Sequence, residues 1–91
     1  MKQEKRHKLQ LFHEILCAIE ENTMHNEAVR PTRIQHSSRL SYDKMINHFD
    51  ELEGKRMICR QSSGLITITT KGRKFTKQYN ELINLIESAA L

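Results

Sequence analysis

The chain of 91 residues has no tryptophan, one proline, three glycines and two cysteines, and Phe and Tyr together make up 5% of it. Each shortage excludes something. Cys17 and Cys59 lie far apart and outside any Cys-x-x-Cys spacing, so no disulfide framework is expected and a reducing cytoplasm is the default compartment. Scarce aromatics argue against a protein that stacks single-stranded bases on exposed rings; Phe12, Phe49 and Phe75 read as core. No apolar run approaches the roughly 20 residues of a membrane-spanning helix. The basic start, Met1 to Lys8, lacks the apolar stretch that a secretory leader would carry. There is no Gly-x-Ser-x-Gly, no glycine loop to cradle a phosphate and no carboxylate pair in an apolar setting, so neither an enzyme nor a cofactor nor a small-molecule ligand is expected. His13 and Cys17 stand four apart on a helical stretch, but no further ligands follow at a recognisable spacing, so no metal is expected. Cys17 then reads as core and His13 as surface.

What is present is charge in blocks. The net charge is +4. Residues 9–29 hold four acids and no Lys or Arg, residues 30–48 sum to +3, and residues 60–77 hold five Lys and Arg and no acid. Alternating blocks of this size also describe ordinary solvated helix faces. The sharper reading brings the two acid-poor blocks together on one surface that binds a polyanion. A chain this short buries a marginal fraction of its surface alone, so an oligomeric contact is expected as well.

Hydrophobic spacing supplies the elements. Residues 5–22 read as an amphipathic helix, with Leu9, Phe12, Leu16 and Ile19 in one stripe widened by Leu11 and Ile15. Pro31 opens a second helix of at most two turns, and residues 37–40 form a compact connection. Ser41 is a good N-cap, Asp43 suits the positive end of the helix that follows, and Met45, Phe49 and Leu52 line one face to about Gly54. Two strands, 57–61 and 65–69, flank Ser62-Ser63-Gly64 as a hairpin. Thr69 or Thr70 then caps a last helix from Lys71 to about Ala90, in which Phe75, Tyr79, Leu82, Ile86 and Ala89 follow coiled-coil spacing with Ile83 and Leu85 beside them. Nothing else in the chain is large enough to cover that stripe, so a second copy is expected to do so.

This order, mainly α with one small β-hairpin, is that of a winged helix-turn-helix with a long C-terminal coiled-coil dimerisation helix. The expected division is 1–70 for the winged part and 71–91 for the dimerisation helix, in one compact unit. A helix starting at Tyr42 can enter a DNA major groove with its N-terminal residues on base edges. Ser41, Tyr42, Lys44, Asn47 and His48 are the base-reading candidates. Phosphate contacts, which position such a domain without reading sequence, are expected from Arg30, Thr32, Arg33 and Arg39, from Arg60, Ser62 and Ser63 at the hairpin, and from Lys71, Arg73 and Lys74. That last group opposes the dipole at its helix start, a misfit that a bound phosphate relieves and that solvation also tolerates. Phe75, Tyr79, Leu82, Ile83, Ile86 and Ala89 are the dimerisation candidates.

The runs Thr32-Arg33-Ile34, Leu40-Ser41-Tyr42-Asp43-Lys44-Met45, Leu52-Glu53, Met57-Ile58 and Ile68-Thr69-Thr70-Lys71-Gly72-Arg73-Lys74-Phe75, with Tyr79 and Leu82, resemble the small archaeal winged-helix DNA-binding proteins of the Sulfolobus ten-kilodalton chromatin-protein type. The resemblance covers about residues 9–88. It implies a homodimer through an antiparallel coiled coil of the last helices, double-stranded DNA as partner, no cofactor, and a nucleoid-associated, cytoplasmic protein. One departure stands out. Such proteins place glycine at the exit of the recognition helix, in a Lys-Gly-Leu-Ile context, where this chain reads Lys55-Arg56-Met57-Ile58. The rival reading is a winged-helix module that dimerises through its last helix and binds proteins instead of DNA. Promoter-specific regulation and general chromatin organisation are both compatible with these residues.

Overall fold

The computed structural model describes residues 7–23 and 27–89, with side chains to residue 88. Four helices and one hairpin follow in order: α1 Lys8–Asn22, α2 Pro31–Ser38, α3 Tyr42–Gly54, β1 Ile58–Arg60, β2 Ile66–Ile68 and α4 Thr70–Ala89. Residues 5 and 6 of the expected first helix lie outside the described residues. α1 opens at His7, whose ring nitrogen accepts the Leu9 N–H at 3.1 Å.

The elements begin where local chemistry starts them. Pro31 occupies the first turn of α2, where its missing N–H is no loss. Ser41 caps α3, its hydroxyl accepting the Lys44 N–H at 3.4 Å. Between them Arg39 turns the chain in a left-handed conformation, φ 59°, and its N–H bonds the Gln35 carbonyl at 2.9 Å. Buried Leu40 ties this turn to the core.

Both strands are three residues long, shorter than the alternating runs suggest, in antiparallel register with Cys59 opposite Thr67. The pairing nevertheless continues past their ends, with Thr69 N–H on the Met57 carbonyl at 3.0 Å and Gln61 N–H on Leu65 at 2.8 Å. Gly64 closes the turn at φ 91°. A third segment was not foreseen: Val29 pairs with Ile66 through bonds of 2.7 and 2.9 Å, so Ile66 is flanked on both edges. A single paired residue carries no periodicity for a sequence to display.

The core joins Phe12, Ile15, Leu16 and Ile19 of α1 to Ile34 of α2, Met45, Phe49 and Leu52 of α3, and Ile58 and Ile66 of the hairpin. Leu9, expected in the α1 stripe, is instead 48% exposed. α4 packs antiparallel to α1: Arg73 lies near Glu20, while Tyr79 and Asn80 meet His13.

The start of α4 is fixed by one side chain. Thr69 donates its hydroxyl to the Arg56 carbonyl at 2.7 Å and accepts the Gly72 N–H on the same oxygen at 3.0 Å. It thus caps α4 and locks that helix to the turn leaving α3. Gly72 is buried against the Met57 carbonyl, closely enough that a β-carbon there would lie 2.3 Å from that oxygen.

Candidate nucleic-acid interface

A residue's face on α3 follows from the 100° step between neighbours. Met45, Phe49 and Leu52 are fully buried; Asn47 and Asp43 fall on the opposite side, Lys44 lies on the flank beside Asn47, and all three are exposed. Tyr42, in the first turn, is 49% exposed. Ser41 is exposed, with its oxygen engaged in the cap. Together these surround the N-terminal half of α3.

His48 corrects the sequence reading. Three residues past Met45, it flanks the buried stripe and turns toward α1: its side chain is 16% exposed and its ring meets Phe12 edge-on at 5.9 Å. Its Nδ1 is buried without a hydrogen-bond partner, 3.6 Å from a Glu51 oxygen. It does not join the outward set.

Arg60 is the second correction. Strand alternation puts Ile58 and Arg60 on the face toward α3, and the guanidinium meets Asp50 at 2.6 Å and Glu53 at 2.6 and 3.0 Å. The signal was present as two acids three apart on α3, but only the strand register shows that Arg60 stands opposite them. Its hydrogen bond holds the Glu53 carboxyl below the usual carboxylate range, and both acids in turn raise the guanidinium pKa. Lys8 does the same for Glu51, bonding it at 2.9 Å and lowering its pKa. A depressed carboxylate pKa favours the folded state above the carboxylate's ordinary pKa, and the contribution is lost as pH falls through the lowered value. The three acids of the second half of α3 are therefore matched by cations at neutral pH.

Further cations are exposed on either side of α3 in the chain. Before it, Arg30, Thr32 and Arg33 are exposed at the start of α2 and Arg39 in the turn that leads into α3. Arg30 and Arg33 border a cleft of about 210 Å³ beside Asn22 and Glu27, and Thr32, Arg33 and His36 border another of about 240 Å³. At the exit of α3, Thr69 joins the start of α4, whose first turns expose Lys71 and Lys74, to the turn that carries exposed Lys55 and Arg56. Arg73 takes another direction, toward Glu20 with a closest approach of 4.0 Å. The hairpin turn exposes Gln61, Ser62 and Ser63 and no cation.

The dimerisation candidates divide. Phe75 packs on the core of its own chain, and Tyr79 stacks on His13 at 4.2 Å with the rings 21° apart. Ile83 is half-buried, and the Ala89 side chain lies outside the described residues. Leu82 and Ile86, with Leu85, are 53%, 56% and 66% exposed. His13, read from sequence as surface, is half-buried in a network: its Nε2 lies 2.9 Å from the Asn80 oxygen and 3.4 Å from the Cys17 sulfur. Burial and the charges of Glu20, Glu21 and Glu14 raise the Cys17 thiol pKa. Among the described residues, no three His, Cys, Asp or Glu side chains gather as a metal site would require, and no helix is long and apolar enough to cross a membrane.

Residues 5–87 match the Winged helix-turn-helix family over nearly the whole chain. The chain belongs to that family. No curated protein matches it in sequence. Among solved structures, this winged helix-turn-helix is similar to BpsR of Bordetella bronchiseptica, whose DNA binding is regulated by 6-hydroxynicotinic acid, at a TM-score of 0.71 and 14% identity over 87% of the chain. It is similar to Sso10a-2, a DNA-binding protein from Sulfolobus solfataricus, at 0.72 and 20% over 93%, and to MepR, a transcription regulator of a Staphylococcus aureus multidrug efflux pump, at 0.65 and 18% over 85%. The chain spans 57% of BpsR and 61% of MepR, but 86% of Sso10a-2. At these identities the likeness is one of fold.

Proposed function

We propose that this winged helix-turn-helix binds double-stranded DNA as a homodimer, acting as a transcription regulator or chromatin-organising protein. The N-terminal half of α3 enters the major groove, with Tyr42, Lys44 and Asn47 toward base edges. Arg30, Thr32, Arg33 and Arg39 contact phosphates on the entry side, and Lys71 and Lys74 on the exit side. The observation that carries this reading is the charge pattern along α3: Lys44 and Asn47 are exposed in the first half beside a single acid, Asp43, while the acids of the second half are matched by Lys8 and Arg60. A polyanion thus meets cations at both ends of the helix and few unmatched acids between. DNA binding by Sso10a-2 and BpsR supports the same assignment.

The test is duplex affinity against salt. Each phosphate neutralised contributes about 0.9 to the negative slope of log affinity against log salt, so several contacts make affinity fall by orders of magnitude between about 50 and 200 mM. A slope near zero would contradict the DNA reading and favour a protein-binding module.

The apolar face of α4 supports the dimer. Leu82, Leu85 and Ile86 are more than half exposed on the side that α1 leaves open. Leu82→Lys places a charge in the seam between copies and is expected to convert a dimer to monomer in sedimentation at micromolar concentration. Wild-type chain sedimenting as monomer under those conditions would refute the dimer.

A further inference from the structure

Two arginines flank α3 in a backbone conformation that side chains other than glycine rarely adopt: Arg39 at φ 59° before it and Arg56 at φ 63° after it. Glycine meets no steric penalty there, and a position selected for folding alone would favour it. Both positions carry arginine instead.

Neighbours hold the Arg56 backbone in place. Its N–H bonds the Glu53 carbonyl at 2.9 Å, and its own carbonyl accepts the Thr69 hydroxyl at 2.7 Å. The side chain, by contrast, is exposed and joins no ion pair or side-chain hydrogen bond among the described residues. Acids are close along the chain, but Glu51 is bonded by Lys8 and Glu53 by Arg60. Among the described residues no side chain partners this guanidinium at its strained position, and such outliers collect where a ligand is bound.

The length of α3 suits the duplex proposed above. Thirteen residues at 1.5 Å each make a helix of roughly 20 Å, longer than a major groove of about 12 Å is wide. A helix lying across the groove sets its two ends at opposite walls, where the phosphates are. We propose that Arg56 is a phosphate contact at the exit of α3, facing the wall opposite the one that Arg39 meets at the entry. Being past the last turn, it grips the backbone of any duplex and reads no base. This inference rests on the DNA reading above.

The test compares Arg56→Gly and Arg56→Lys with wild type, in the full chain, by thermal unfolding and by duplex affinity across salt. Arg56→Gly is expected to raise the melting temperature, on the order of 4–8 °C, as strain is relieved. It weakens binding to all duplexes alike and flattens the salt slope by about 0.9 per subunit. Arg56→Lys, which keeps both charge and strain, retains the wild-type slope and melting temperature. Steep salt dependence in wild type that Arg56→Gly leaves unaltered would overturn this contact while leaving the DNA reading intact. A lower melting temperature for Arg56→Gly would also overturn it, by showing that the side chain serves the fold. Wild type indifferent to duplex would overturn both readings together.

Discussion

Gly72→Ala is expected to destabilise the protein by about 3 kcal/mol, the upper end of what overpacking produces. Helix propensity alone gives the opposite sign, since alanine in a helix is favoured over glycine by up to about 1 kcal/mol. Packing decides because the new methyl group would lie 2.3 Å from the Met57 carbonyl oxygen and 2.8 Å from Ile68 Cγ1. Neither neighbour yields easily. The Met57 oxygen accepts the Thr69 N–H, and Ile68 is nearly buried in the core. Relief requires α4 to move away from the hairpin, which breaks the Thr69 bonds to Arg56 and Gly72. Gly54 is the control, because a β-carbon there meets nothing within 4 Å and its φ is not positive. Gly54→Ala is expected to leave stability unchanged or raise it by up to about 1 kcal/mol. Urea unfolding of the two variants measures both, and equal effects of one sign would mean that α4 does not sit this tightly on the hairpin.

Joint replacement of Lys71 and Lys74 by glutamate is expected to lower affinity for every duplex on the order of a hundredfold at low salt and to flatten the salt slope by roughly 1.8 per subunit, the share of two phosphates. The fold should not suffer. Both residues lie exposed in the first turns of α4, where acids favour the helix dipole by about 0.3–1 kcal/mol each and cations oppose it. A melting temperature held or raised, together with weaker binding, separates loss of contact from loss of structure. Unchanged affinity would remove the start of α4 from the interface.

Much of the fold was legible because its signals are local. Ser41, Asp43 and the Met45, Phe49, Leu52 spacing set α3, and Thr69 or Thr70 marked the start of α4, the bond from the Gly72 N–H deciding for Thr69. The hairpin followed from Gly64 between two alternating runs. The candidate site was less legible, because which way a polar side chain turns depends on what stands opposite it. Arg60 looked like a wing cation until register placed it against Asp50 and Glu53, and His48 looked outward until α1 met that flank of α3. Tyr79 fitted a coiled-coil seam equally well before His13 stacked beneath it. Arg56 was visible as a missing glycine, but only its φ shows that the turn stays left-handed without one.

The central claim, that both ends of α3 close on one duplex, is tested most directly by titrating isotope-labelled protein with a short unlabelled duplex at low salt and following the backbone amides. The account predicts saturable shifts gathered at residues 30–33, 39–47, 55–56 and 70–74. Shifts confined to residues 82–88, or spread without clustering, would contradict it.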